Sequence, residues 1–392
     1  MPVVNRFADL LPEITGWRRD FHQHPETLYA VHRTAGRVAE LLTGFGVDKV
    51  VTGIGRTGVV GVIHGRSDTA GRVIGLRADM DALPITETTN KPYASAEPGK
   101  MHACGHDGHT AMLLGAARYL AETRNFDGTA VVVFQPAEEG GAGGKAMIDD
   151  GLMERFGIQQ IYGMHNYPGL PVGAFAIRPG ALMASADLID ITIEGRGGHA
   201  AWPHTTVDPV LVGAHIVTAV QSIASRAVDP LEAVVVSITQ FHAGDTDNVI
   251  PATARLAGTV RTLSPDVRDF VEGRLRDLVE TTAAAFGATA TLSYERNYPV
   301  VVNDAAETEF VSRVAAGIAG ADRVDTRAAP MMGAEDFSFM LEARPGAFIF
   351  MGNGDTAKLH NPDYDFNDEA IPYGCSYWVR LVETAMAARA AA

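Results

Sequence analysis

Apolar residues in the first half of the chain form short, nearly continuous runs that alternate with segments of helical spacing. Runs rich in Val and Ile, bounded by Gly or polar residues, predict buried strands at residues 58–65, 72–79, 129–135 and 158–166. Apolar positions on one helical face predict an N-terminal amphipathic helix and helices at residues 31–45, 106–122 and 145–151. Buried strands separated by helices indicate an α/β fold with a mostly parallel sheet.

The spacing changes after about residue 180, where apolar and polar positions alternate as in half-exposed strands. The predicted strands are 186–195, 233–241, 254–263 and 288–295, and the predicted helices are 208–226 and 265–286. The order β-α-β-β-α-β is that of a ferredoxin-like unit. The remaining chain returns to alternating helix and strand and ends in a helix from about residue 372 to the C-terminus. We therefore predict a discontinuous α/β domain, residues 1–184 and 297–392, with residues 185–296 inserted as a small domain.

Composition narrows the classes of function. A chain of 392 residues with 46% hydrophobic and 20% charged residues is typical of a globular protein with two or three domains. The formal net charge of −15 disfavours nucleic acid as a partner, because such a surface repels a phosphate backbone. No apolar run reaches the roughly 18 residues of a membrane span, so we expect no membrane partner. The only cysteines, Cys104 and Cys375, are too few for a disulfide framework, and we expect a cytoplasmic location.

Polar residues with metal-binding chemistry follow several of the predicted strands. The carboxyl ends of parallel strands share one edge of a sheet, so these residues are expected to lie together. The five candidates are Cys104, His106, Glu139, His165 and His360. Thiolate, imidazole and carboxylate together suit Mn, Zn, Ni or Co better than Mg or Ca, and five such groups suit two ions better than one. A pair of metal ions can lower the pKa of a water and polarise a carbonyl oxygen.

The adjacent Glu138 and Glu139 fit this chemistry, because consecutive side chains point in different directions and one can bind metal while the other transfers a proton. Each signal is weak alone. A glutamate pair in a loop is usually a solvated surface, and a lone histidine is usually a hydrogen-bonded structural residue. We expect His102 and His109 to support the ligands or cap a helix rather than to bind metal.

Taken in order along the chain, several motifs resemble one enzyme family. They are DFHQHPE, MHACGHDGH, QPAEEG, GMHN, GRGGHAAWPH, DNVIP and GAEDF. Together they are similar to the hippurate hydrolase branch of the zinc-peptidase-like amidohydrolases. This branch includes N-acyl amino acid amidohydrolases and auxin-conjugate hydrolases, and it is related to aminoacylase and carboxypeptidase G. The resemblance extends over residues 17–377, which is nearly the whole chain.

The resemblance implies that the five candidate residues bind two divalent metal ions and that Glu138 is the general base. Distant relatives carry a His-x-Asp metal motif where this chain has Arg77-Ala-Asp79. Arg77 cannot bind a metal ion, so we expect Asp79 to support the ligands from outside. Cys104 and His106 are used instead in this branch, and the metal therefore cannot be copied from the zinc relatives.

In the same family the inserted domain is a lid that also forms the dimer, so a homodimer or homotetramer is implied. The resemblance suggests that His199 reaches the partner protomer's active site and stabilises an oxyanion, with Asn248 nearby. Arg261 could pair with the substrate carboxylate, although an arginine on a solvated strand face is nearly as common.

The sequence thus predicts a metal-dependent amidohydrolase that cleaves a small N-acyl amino acid into a carboxylic acid and an amino acid. Three alternatives stay open. The first is a dipeptidase or carboxypeptidase, and the second is a non-catalytic protein that binds conjugates on the same fold. The third is a metal-free hydrolase that uses Cys104 as nucleophile with His106 or His109 as base, although a spacing of two residues gives poor geometry for this pair.

Overall fold

The computed structural model describes residues 3–388. Its α-helices are α1 (Arg6–Gln23), α2 (His32–Gly44), α3 (His106–Thr123), α4 (Glu138–Gly141), α5 (Gly143–Asp149), α6 (Leu152–Phe156), α7 (Pro209–Ser222), α8 (Pro265–Ala285), α9 (Ala305–Ala319), α10 (Ser338–Ala343) and α11 (Ile371–Ala385). Its strands are β1 (Lys49–Ile54), β2 (Gly58–His64), β3 (Val73–Asp79), β4 (Thr129–Gln135), β5 (Gln160–Tyr167), β6 (Phe175–Ala176), β7 (Gly180–Met183), β8 (Ala186–Glu194), β9 (Gly198–His199), β10 (Val234–Ala243), β11 (Val249–Ile250), β12 (Thr253–Thr262), β13 (Thr289–Tyr298), β14 (Val301–Asn303), β15 (Val324–Asp325) and β16 (Gly346–Gly352). The last helix ends at Ala385, so the predicted helix to the C-terminus is wrong for residues 386–388, where Met386 leaves helical geometry with a φ of −124° and a ψ of 54°. Residues 389–392 lie outside the described part of the chain.

The chain divides into two units. The larger unit comprises the described parts of Met1–Gly180, Val302–Ala329 and Asp336–Ala392, and the smaller unit comprises Ala181–Val301 and Pro330–Glu335. The segment 330–335 belongs to the smaller unit because Met331 pairs through its backbone with Leu182 and Ala184. Hydrophobic spacing carries no signal for this long-range pairing.

The sheet of the larger unit has the strand order β1-β2-β4-β3-β5-β16-β6-β15. Its central strands β4, β3, β5 and β16 are parallel, whereas β1 and β2 add an antiparallel edge. These central strands are buried along nearly their whole length, as continuous apolar runs predict. The predicted α/β fold is confirmed, and the carboxyl ends of four neighbouring strands lie at one edge.

Helix α3 is the central helix of the larger unit and packs against α1, α11 and β3. From Thr110 to Ala117 its residues are small or apolar, and His106 to Ala117 are all buried. At Gly108 a Cβ would come 2.3 Å from the ring of Phe366, so the helix can approach that ring only because a glycine stands there. Tight packing on all sides gives the first turn of α3 a fixed position.

The smaller unit is an antiparallel four-stranded sheet with the order β10-β12-β8-β13, on which α7 and α8 pack. Both helices begin at capping residues. The Asp208 carboxylate accepts the backbone N–H of Val210 at 2.8 Å, and the Ser264 hydroxyl accepts that of Val267 at 3.4 Å. The inward residues of β8, Ile189, Ile191 and Ile193, form the core with both helices. This is the predicted ferredoxin-like arrangement.

Residues 209–227 of the smaller unit are long and apolar enough to cross a membrane by length and composition, with a mean hydropathy of 1.3. One such segment is weak evidence, because a core helix of a water-soluble protein passes the same test. In this structure Val212, Ile216 and Val220 of the segment are buried in the core of the smaller unit.

Candidate metal centre

A sharp turn before α3 presents Cys104 and His106 side by side. Between them Gly105 has a φ of 86°, in the left-handed region that glycine adopts without strain. A Cβ at this position would come 2.3 Å from the Asn166 side-chain nitrogen and 2.4 Å from the Tyr364 hydroxyl. The turn therefore requires glycine for both conformation and space.

The imidazoles of His165 and His106 lie beside the Cys104 thiol. His165 lies on β5, and its Nδ1 donates to the backbone oxygen of Asn166 at 2.7 Å, so its Nε2 faces the Cys104 sulfur at 3.4 Å. The Nδ1 of His106 donates to the backbone oxygen of Asp81 at 2.8 Å. Within residues 3–388 the buried His106 Nε2 has no hydrogen-bond partner. One ligand atom from each of Cys104, His106 and His165 lies within 4.8 Å of the others.

The two glutamates lie on a tight turn after β4. Ala137 has a φ of 54° and Gly140 a φ of 84°, so the chain reverses sharply on both sides of the pair. The Asp81 carboxylate accepts the backbone N–H groups of Glu138 and Glu139, each at 3.0 Å. This carboxylate holds the turn in place, and Glu138 is buried. The side chains of His106, Glu138 and Glu139 also lie within 4.8 Å of one another.

His360 reaches the same place from the loop after β16. Its backbone has a φ of 62°, which costs a residue other than glycine about 1 kcal/mol or more and is frequent at functional sites. The backbone N–H of His360 donates to the Ala103 oxygen at 2.8 Å, which ties this loop to the Cys104 turn. Its Nε2 is 3.3 Å from Glu139 Oε1, and Cys104, Glu139 and His360 form a third group within 4.8 Å.

Asp79, at the end of β3, adjoins this cluster. Its carboxylate accepts from His109 Nδ1 at 2.6 Å and from Arg77 Nη1 at 2.7 Å, and it lies 3.6 Å from His106 Nε2. Burial alone would raise the pKa of Asp79, but His106, Arg77 and His109 lower it well below its usual value. Asp79 is therefore an anion held against the candidate ligands, which is the position that a supporting residue requires.

Three buried polar residues of this region had no role assigned from the sequence. Asp81 holds the glutamate turn, and Asn166 bridges Cys104 and Tyr364: its amide nitrogen donates to the Cys104 oxygen at 2.7 Å and its oxygen accepts from the Tyr364 hydroxyl at 2.8 Å. Asp336 accepts from the Arg77 guanidinium at 3.0 Å. Asp81 and Asn166 are close in sequence to Asp79 and His165, which the sequence analysis names. Their position as polar residues at the ends of apolar strands is the signal by which the sequence could have indicated them.

The two remaining histidines of the cysteine motif differ. His109 donates to Asp79, and its Nε2 accepts the backbone N–H of Asn166 at 3.0 Å, so it supports the cluster by hydrogen bonds. His102 is buried, and neither of its ring nitrogens has a partner within residues 3–388. Burial lowers the pKa of His102 to about 3, which makes its imidazole neutral.

The three lid residues of the sequence prediction lie in the smaller unit. His199 is exposed on β9, which pairs with β11, and the backbone N–H of Ala200 donates to the Asn248 oxygen at 3.0 Å. His199 and Asn248 are thus neighbours. Arg261 is half-buried on β12, where its guanidinium donates to the Val260 oxygen at 3.0 Å. Burial lowers the pKa of Arg261, opposed by the charge of Asp187.

The donors of the cluster fit divalent transition metals. One thiol, three imidazoles and two carboxylates meet in overlapping groups, and His106 directs an unpaired ring nitrogen into them. Burial and the carboxylates of Glu139 and Glu138 raise the pKa of the Cys104 thiol well above its usual value. Cations would offset this concentration of negative charge, and mixed S, N and O donors suit Zn, Mn, Co or Ni.

Comparison with known proteins identifies the family. Residues 75–384 match the model of peptidase family M20/M25/M40. The chain belongs to this family. It is 41% identical to a hippurate hydrolase of Campylobacter jejuni over 97% of this chain and 98% of that protein, and 40% identical to an N-acetylcysteine deacetylase of Bacillus subtilis over 93% and 94%. A solved structure, a dinuclear metal-binding M20 peptidase of Bacillus subtilis, superposes with a TM-score of 0.85 at 35% identity and covers 97% of this chain and 99% of its own.

This M20 chain is accordingly a hydrolase, and its predicted resemblance to the hippurate hydrolase branch is confirmed. The relatives differ in what they cleave. A thermostable carboxypeptidase of Saccharolobus solfataricus is 39% identical over 91% of both chains, close to the values for the hippurate hydrolase and the deacetylase. Family membership therefore establishes an amidohydrolase, while the substrate has to be argued from the site.

Proposed function

We propose that the protein hydrolyses the amide bond of N-acyl amino acids, using two divalent transition-metal ions. The observation that carries this proposal is the convergence of thiol, imidazole and carboxylate donors from three separate loops and strand β5, at the ends of neighbouring strands. The proposed ligands are Cys104, His106, Glu139, His165 and His360. When bound, the ions would polarise the amide carbonyl and lower the pKa of the attacking water.

Glu138 is the proposed proton carrier. It is buried, its backbone is held by Asp81, and its carboxylate lies within 4.8 Å of donor atoms on His106 and Glu139. A carboxylate at this position takes the proton from the attacking water and returns it to the leaving nitrogen, so that a carboxylic acid and a free amino acid result. Glu139 is left for metal binding because its oxygen faces His360.

The lid residues have proposed roles in binding the substrate. The carbonyl oxygen of the substrate becomes an oxyanion, and we assign its stabilisation to His199 of a partner protomer with Asn248 beside it. Arg261 carries a positive charge that lacks an ion-pair partner in the described part of the chain, and it is proposed to bind the substrate carboxylate. These two roles favour substrates that have a free carboxylate next to the cleaved amide.

We propose a homodimer formed by the smaller unit. Helix α7 exposes Val210 and Leu211, with relative exposures of 41% and 50%, and Phe241 on β10 is 40% exposed. Exposed apolar residues at neighbouring positions are typical of protein–protein contacts. We also propose a cytoplasmic location, because both cysteines are buried thiols without a disulfide, as a reducing compartment allows.

A cysteine hydrolase is the second candidate, and one distance favours it. The Cys104 sulfur is 3.4 Å from His165 Nε2, which is close to the spacing of a nucleophile and its base. The electrostatics oppose it. Neighbouring carboxylates and burial raise the pKa of the Cys104 thiol, whereas a nucleophilic cysteine needs a lowered pKa and access to substrate.

A panel of substrates on metal-stripped protein tests the proposal. The protein is reloaded separately with Mn, Zn, Co and Ni and offered benzoyl-, acetyl- and longer acyl-amino acids and dipeptides. We expect no turnover by the metal-free protein. With at least one of the four metal ions, we expect the protein to cleave N-acyl amino acids faster than dipeptides. Full activity after stripping would support the cysteine hydrolase, preference for dipeptides would support a dipeptidase, and binding without cleavage would indicate a conjugate-binding protein.

A further inference from the structure

Arg18 of α1 is a fully buried arginine that touches none of the proposed metal ligands. Its Nε donates to Asp368 Oδ1 at 2.8 Å, and its Nη1 lies 3.4 Å from Asp365 Oδ1 and 3.6 Å from Asp107 Oδ2. Its guanidinium also stacks over the ring of Tyr93 at 4.5 Å. One cation thus joins three carboxylates from two distant parts of the chain.

These carboxylates adjoin the two loops that carry proposed ligands. Asp107 directly follows His106 in the first turn of α3, and its carboxylate also accepts from His22 Nδ1 at 2.8 Å. Asp365 and Asp368 follow His360, in the segment that runs from its loop to α11. Arg18 therefore connects the turn of Cys104 and His106 with the loop of His360.

The chemistry of this ion network favours a role in orienting the two loops over a role in stabilising the fold. A buried ion network costs desolvation and stabilises a fold little more than apolar packing would. Such a network instead fixes the directions of its members, because the planar guanidinium donates to carboxylates only along its fixed N–H bonds. Metal binding depends on such directions, since ligands displaced by a fraction of an ångström bind more weakly.

We propose that Arg18 is a positioning residue that holds the Cys104–His106 turn in register with the His360 loop, so that the ligands of the metal ions meet. The inference rests on the proposed ligand set. It assigns to α1, through Arg18 and the His22 that bonds the same Asp107, a part in metal affinity rather than in stability alone.

The test compares metal affinities of variants that retain their fold. Arg18→Lys keeps the charge but loses the planar fork, and its metal dissociation constants are measured by competition with a chromophoric chelator. Arg19→Lys is the matched control, since Arg19 is 46% exposed and bonds the same Asp368 at 2.8 Å from outside. Val271→Ala, a core truncation in the smaller unit, controls for a general loss of stability.

We expect Arg18→Lys to raise the dissociation constant of at least one ion by about tenfold or more, the cost typical of losing a residue that orients a ligand, with both controls within about twofold. The visible spectrum of the cobalt form should shift only in Arg18→Lys. An unchanged affinity in Arg18→Lys, or an equal loss in Val271→Ala, would overturn the inference. If Arg18→Lys does not fold, the same measurements on Asp368→Asn test the inference by the same criteria.

Failure of the proposed function gives a different result. In that case the wild-type protein itself binds no transition metal or is fully active without it, whatever Arg18 does. A wild-type protein that binds two ions with an affinity insensitive to Arg18→Lys refutes only the positioning role.

Discussion

The charge of His22 gives a stability prediction whose size follows from the structure. His22 is buried, with Nδ1 2.8 Å from Asp107 and Nε2 3.3 Å from Glu87. Burial alone would lower the pKa of His22, but these carboxylates more than offset it, against repulsion from Arg18, and raise the pKa from 6.5 to about 9. The neighbouring His102 is neutral, and the Tyr93 ring lies nearly perpendicular to the His22 imidazole, with the ring centroids 5.9 Å apart.

A pKa that is higher in the folded than in the unfolded protein makes protonation stabilising. At about 1.4 kcal/mol for each pKa unit, the contribution is about 3 kcal/mol. It is fully present below pH 6.5, falls to about half at pH 8, and is lost as the pH rises through 9. The substitution His22→Asn can keep the bond to Asp107 but cannot carry the charge.

The assay is urea unfolding of metal-free wild-type and His22→Asn protein between pH 6 and pH 10, followed by tryptophan fluorescence. Trp17 and Trp378 are buried in the larger unit, so the signal reports chiefly on the unit that contains His22. We expect the difference in unfolding free energy to shrink by about 3 kcal/mol from the acidic to the alkaline end. His24→Asn is the control, because the carboxylate near His24, that of Asp20 at 3.5 Å, forms a partly exposed pair with it, and exposed ion pairs contribute little to stability. A difference that stays constant with pH would refute the reasoning.

Three further substitutions test single parts of the site. Cys104→Ala should lower the metal content, measured by elemental analysis, and an unchanged content would exclude Cys104 as a ligand. Arg261→Met should raise KM about tenfold or more for substrates with a free carboxylate but not for their esters. The control Arg255→Met, on the same strand, should leave KM unchanged for both kinds of substrate. Equal effects of Arg261→Met on acids and esters would contradict carboxylate binding. His199→Ala should keep its metal and lose about 10² to 10³ in rate. Activity should return when subunits of this variant exchange with those of Glu138→Gln. If exchange is verified and no activity returns, His199 does not act in the partner protomer's active site.

Hydrophobic spacing predicted most of the elements because buried strands and amphipathic helices leave periodic patterns. Strand β1 was not predicted, since most of its residues are exposed or half-buried at the edge of the sheet and include Thr52 and Gly53, which weaken the apolar pattern. The order of the elements indicated a ferredoxin-like insertion, but the return of residues 330–335 to the smaller unit depends on backbone pairing between distant segments.

The candidate ligands could be singled out because their residue types follow strand ends, where a parallel sheet brings loops together. The hydrogen bonds that orient these ligands could not be predicted from the sequence. Asp81 and Asn166 act through backbone groups whose meeting depends on the packing of α3 against the sheet. His22 lies in a motif that resembles the family, yet its pairing with Asp107 joins residues 85 positions apart, which no local pattern reports.

The most direct test of the proposed mechanism compares Glu138→Gln with Glu139→Gln by measuring metal content and turnover on the same samples. The account predicts that Glu138→Gln keeps two metal ions per chain but loses about 10² to 10⁴ in kcat, the loss expected without a general base. Glu139→Gln should lose metal as well as activity. A Glu138→Gln protein that turns over at nearly the wild-type rate would contradict the central claim that Glu138 moves the proton.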